Sequence, residues 1–162
     1  MKAAVVFYSL TGNTRRAAQE AASRLPADLI EIKPENAFPD KGFRKFFWGG
    51  KSAVMKKIPK LLPYDFQAEK YDLVVLATPV WAGTMSPPIR AFITENLDAL
   101  RDKSLAAMVS CGGGAQDKAF EKIETLAGGH ALKARAVLID PKARPGQENE
   151  KRLDAFCQAL KG

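Results

Sequence analysis

The chain should fold as a doubly wound α/β domain, a parallel sheet of five strands with helices on both faces. Three observations predict this. Short apolar runs, such as Ala3 to Phe7 and Leu73 to Ala77, are continuous rather than alternating, as strands buried on both faces require. Turns rich in Gly, Ser, Thr and Pro follow those runs, and segments with helical spacing of apolar residues follow the turns. Right-handed crossovers then place successive strands in parallel. With 162 residues, of which 46% are hydrophobic, the chain suits a single domain spanning 1–162 with a sizeable core.

Residues 2–8 form the first strand and 14–25 the first helix, where Ala17, Ala18, Ala21, Ala22 and Leu25 recur at helical spacing before Pro26. Asn13 or Thr14 is the natural N-cap. Residues 27–33 alternate apolar and polar, like an edge strand half open to solvent. Between Pro34 and Tyr71 the pattern is least regular. Phe43, Phe47, Val54 and Ile58 can share one helical face, with Trp48 packing it, although Gly49-Gly50 interrupts the run. Residues 72–78 make a buried strand, 79–88 a Pro-rich loop, and Ile89 to Leu97 a helix started by paired prolines. The strand 103–110, the glycine loop 111–114 and the helix 116–126 follow. A strand at 130–140 and a helix at 146–161, with Leu153, Phe156 and Leu160 on one face, close the chain.

The first turn, Ser9-Leu10-Thr11-Gly12-Asn13-Thr14, joins a buried strand to a helix and so aims backbone N–H groups and the positive helix end at one point. Hydroxyls and an amide add donors there, and Gly12 allows close approach of a ligand to the backbone. This is a cradle for a phosphate, or a hydroxyl-rich cap with no ligand. A Walker A loop would need a lysine and a dinucleotide fingerprint would need spaced glycines, and neither is present. The donors within the turn are uncharged.

Ser-x-Thr-Gly-Asn-Thr at the end of a first strand resembles the FMN phosphate loop of flavodoxins. Thr78-Pro79-Val80-Trp81-Ala82-Gly83 resembles the second loop of that family, and Ser110-Cys111-Gly112-Gly113 occupies the position of the third. The resemblance covers essentially the whole chain and implies the strand order 2-1-3-4-5, with ligands beyond the carboxyl ends of the strands. It also implies roles for the loops: the first takes the FMN phosphate, the Trp81 ring lies against the isoalloxazine, and backbone around Ala82 and Gly83 approaches its pyrimidine edge or N5. Without that role, a tryptophan here is a surface anchor or a core plug. The third offers N–H groups to its O2 and N1 side. Where well-known flavodoxins carry a second aromatic, this chain has Gly113, Gly114, Ala115 and Gln116, so one flavin face is open. No carboxylate falls between Asp72 and Glu95 or between Asp102 and Asp117, which predicts a less negative potential than that of acidic relatives.

The function expected is electron transfer through a noncovalently bound FMN. An NAD(P)H-dependent FMN or quinone reductase is the alternative, with NAD(P)H as donor, and a nonredox binding module is a third. No Ser-His-Asp set or paired carboxylates can be assembled from the loops, which suits a cofactor that carries the chemistry. Cys111 either packs as a small residue or touches the flavin, Cys157 is core, and His130 has no identifiable partner. Two cysteines and one histidine make a metal site unexpected. The formal charge of +7 is concentrated in residues 40–60, where seven basic residues face Asp40 alone. That segment, with Lys41, Arg44, Lys45, Lys51, Lys56, Lys57 and Lys60, is the solvated face of a helix or a docking surface for an acidic partner or an anionic cofactor tail. No nucleic-acid module, membrane span or signal pattern is expected, which places the protein in the cytoplasm.

Overall fold

A computed structural model describes residues 1–38, 58–114 and 116–162. Numbered in chain order, the elements are β1 (Ala3–Phe7), α1 (Asn13–Arg24), β2 (Asp28–Glu31), β3 (Leu73–Trp81), β4 (Thr84–Met85), α2 (Pro87–Glu95), α3 (Leu97–Leu100), β5 (Ser104–Cys111), α4 (Gln116–Leu126), β6 (Arg135–Ile139) and α5 (Gln147–Lys161). The main sheet runs β2-β1-β3-β5-β6, all parallel. This is the expected order, since the fourth and fifth strands of the sequence reading are β5 and β6. The additional β4 pairs antiparallel with the end of β3.

Side-chain alternation divides the core into two layers. Ala4, Val6, Val74, Leu76, Leu105 and Ala107 face α2 and α4, meeting Ile89, Phe92, Phe120 and Ile123. Ala3, Val5, Phe7, Val75, Ala106 and Met108 face α1 and α5. Ala17, Ala18, Ala21 and Ala22 let α1 lie close to the sheet, while Leu153, Phe156, Cys157 and Leu160 seal the same layer from α5. Among these, each buried Leu or Phe side chain contributes about 1.5–3 kcal/mol relative to exposure.

Three boundaries moved for physical reasons. The loop expected at 79–88 begins as a hairpin: β3 continues to Trp81, then Ala82 (φ 49°) and Gly83 (φ 71°) take the positive-φ pair of a type I′ turn. The last strand begins only at Arg135, because Gly128 and Gly129 adopt positive φ and the Leu132 N–H donates to Glu124 Oε1 at 2.9 Å rather than to a strand. Neither Asn13 nor Thr14 caps α1; that place falls to Gly12 in a left-handed conformation. The proposed helical face of Phe43, Phe47 and Val54, together with Trp48 and most of the basic segment, lies outside the described residues. Ile58, its last member, is exposed. No described helix is long and apolar enough to cross a membrane.

Candidate flavin site

The three predicted loops leave the carboxyl ends of β1, β3 and β5, and the first brings its donors together in a particular way. Gly12 has φ +99°, and its N–H donates to Ser9 Oγ at 3.1 Å. The first bond into α1 runs from Arg16 N–H to Gly12 O at 3.0 Å, so the amides of Asn13, Thr14 and Arg15 precede the helical ladder and have no intrahelical acceptor. No acidic residue occupies the first turn to compete for that positive end. The hydroxyls are used otherwise than expected. Thr14 Oγ1 and Ser110 Oγ share a buried hydrogen bond of 2.6 Å that ties the first loop to the third. Thr11 is exposed, and Leu10 and Asn13 are half-buried.

The uncharged character expected of this cradle does not survive folding. The loop after β6 brings Lys142 to it: the Lys142 N–H donates to Asn13 Oδ1 at 3.0 Å and its Nζ donates to Thr11 O at 3.1 Å. A Cβ on Gly12 would lie 3.3 Å from both Cδ and Nζ of that lysine. Nothing local to the turn signals a residue so far along the chain. Asn149, in the first turn of α5, holds the delivering loop by accepting from Ile139 N–H at 3.0 Å and donating to the carbonyls of Ile139 and Arg144.

In the second loop, Thr78 is fully buried and structural: its Oγ1 accepts the Ser86 N–H at 2.9 Å and lies 3.0 Å from Pro79 O and Ser86 Oγ. Trp81 takes the place of a core plug rather than lying open against a ligand. It is 4% exposed, with its ring packed edge-to-face against Tyr8 at 5.7 Å and Phe38 at 5.4 Å. Alternation along β3 would send residue 81 to the α1 layer. After the last parallel pair, Pro79 with Ser110, the strand leaves the sheet for its hairpin and the indole turns into the other layer. Burial pushes the neighbouring Tyr8 hydroxyl up to about 12, so it stays neutral. Pro79 and Val80 are half-buried, and Ala82 and Gly83 form the reachable tip. Beside the tip, Arg90 Nη2 donates to Thr84 Oγ1 at 3.2 Å, while its buried Nε finds no acceptor and its guanidinium no carboxylate among the described residues. Burial lowers its pKa.

The third loop is open. Gly112, Gly113 and Gly114 are exposed, and a Cβ on either of the last two would meet nothing within 4 Å. The carboxylate judged absent from the flavin loops enters from the next strand. Asp140 N–H donates to Cys111 O at 3.0 Å, and a Cβ on Gly112 would lie 4.0 Å from Asp140 Oδ1. Cys111 is half-buried, and its thiol is pushed up, by burial first and also by Asp140, against a lowering hydrogen bond from the Gly113 backbone. A reactive thiolate is therefore disfavoured. Cys157 is buried, as expected, and His130 is half-buried.

A family model described as flavodoxin matches residues 2–149. The chain belongs to the flavodoxin family. Over 119 residues this flavodoxin-family protein is 31% identical to an NAD(P)H dehydrogenase (quinone) from Deinococcus radiodurans, in a match covering 68% of the chain and 58% of that relative. It also resembles the crystal structure of a candidate flavoprotein from Bacteroides eggerthii, with TM-score 0.76 and 23% identity over 96% of the chain and 97% of that protein. A flavoprotein from Lactobacillus acidophilus, solved in complex with FMN, superposes with TM-score 0.69 and 22% identity over 93% and 97% of the two chains. At these identities the structural likeness is one of fold.

Proposed function

We propose that this flavodoxin-family chain, as one domain over 1–162, binds FMN noncovalently and passes electrons through it. The observation that carries this reading is the first loop: unclaimed helix-terminal amides beside a glycine at φ +99°, with no acidic residue in the turn, are suited to a phosphate. When bound, FMN supplies the redox chemistry. Leu10 to Thr14 would hold its phosphate, chiefly through backbone N–H groups, with Ser9, Thr14 and Ser110 shaping the turn. The backbone at Pro79 to Gly83 and from Ser110 to Gly113 would hold the ring. Trp81 supports its loop from beneath. Visible absorption with and without added FMN tests this: a flavin spectrum altered by stoichiometric uptake is expected, whereas colourless protein that takes up none refutes it and leaves the nonredox module.

A second reading, NAD(P)H-dependent reduction of FMN or a quinone, is favoured by the named relative and by the open space at Gly113 and Gly114. NADPH consumption with a quinone acceptor would select it over the carrier. Both readings place the protein in the cytoplasm. For the carrier, we infer that the positive charge of residues 41–60 attracts an acidic redox protein, and transfer should slow as salt rises.

A further inference from the structure

We propose that Lys142 selects for the phosphate in the first loop, its ammonium distinguishing a phosphorylated flavin from the same flavin without phosphate. The inference rests on the FMN site proposed above and adds to it a charge from a distant part of the chain. Residues 9–14 contain no basic side chain, and the cations nearest in sequence are engaged: Arg15 pairs with Glu31, and Arg16 with Glu20 at 3.2 Å. Across the turn, Arg144 lies 3.8 Å from Asp140. Lys142 has no carboxylate partner among the described residues. Its Nζ donates to a single carbonyl, that of Thr11, which leaves further donors of the ammonium for an anion.

The lysine is also placed rather than merely nearby. Its backbone N–H is fixed on Asn13, its tip on Thr11, and its stem crosses Gly12, where any side chain would crowd it. Asn149 and the buried Pro141 fix the segment that carries it. Little further ordering is then needed to present the charge, although the site is open enough for salt to weaken it.

Equilibrium titrations of FMN and riboflavin onto the full chain test this, using the unaltered protein, Lys142→Met and Lys142→Arg at low and high salt. We expect Lys142→Met to weaken FMN about tenfold, equivalent to ~1.4 kcal/mol, leaving riboflavin within about twofold and reducing the salt dependence of FMN binding. Lys142→Arg should restore most of the preference. Equal weakening of both flavins would make the lysine a structural strap and overturn the inference, as would unchanged FMN affinity in Lys142→Met. Failure of the unaltered chain to take up FMN would overturn the proposed cofactor site and this inference together, a result distinct from either of those.

Discussion

The first and third loops leave the same end of the sheet but are held in different ways. The first is braced by distant chain: Lys142 bonds to it twice, Asn149 steadies the lysine's segment, and Thr14 is bonded to Ser110. Among the described residues the third is tied at its base, through Ser110 and Cys111, and Gly113 and Gly114 project with open space around them. Charge follows the same division, with an ammonium at the first loop and the Asp140 carboxylate beside the third. A braced, cationic cradle suits a fixed anion, while the glycine loop leaves open space beside it.

Substitution of the glycines should give the largest contrast. Gly12→Val combines left-handed strain with a collision against the lysine stem and should cost about 2–3 kcal/mol in denaturant unfolding and most of the FMN affinity. Gly113→Ala carries strain at φ +124° but meets no neighbour, so ~1 kcal/mol is expected. Equal losses would remove the distinction between braced and open loops.

The bond joining the two regions comes next. Thr14→Val strands the buried Ser110 hydroxyl and should cost ~1–2 kcal/mol, and adding Ser110→Ala should recover part of it. Strict additivity in a double-mutant cycle would show that the loops are uncoupled.

Charge at the third loop should matter less, because Arg144 partly offsets Asp140. In the FMN-loaded protein, Asp140→Asn should raise the reduction potential by ~20–60 mV in an anaerobic titration. The same change should bring the Cys111 thiol down, since Asp140 helps hold it up. Alkylation of Cys111 should therefore be slow near neutral pH, accelerate only above the usual thiol range, and accelerate at lower pH in Asp140→Asn. A thiol that reacts fully at neutral pH would contradict the burial that raises it.

The smallest effect is expected at the second loop's tip. Ala82→Gly relieves a positive φ in a non-glycine residue and should stabilise the protein by about 0.5 kcal/mol, without altering the other two loops.

Much of the fold was legible because continuous apolar runs too short for helices and bounded by turn residues suit buried strands, and because Ala17 to Ala22 and Leu153 to Leu160 repeat at helical spacing. The candidate site was legible where it depends on local sequence: Gly12 with the start of α1, and the glycines after β5. Trp81 misled, since a tryptophan in a Pro-rich stretch reads as exposed until the hairpin at Ala82-Gly83 turns it into the core.

Local propensity and side-chain period thus determined most of the strands and helices and the three loop positions, because those depend on neighbours within a few residues. Only the tertiary structure decided that Lys142 charges the first loop, that Asp140 stands beside the third, and that Thr14 meets Ser110. Those contacts join residues 29 to 131 positions apart, brought together by strand order and helix packing. Electrostatic interactions depend on distance in space, which the folded sheet defines and the order of residues along the chain does not.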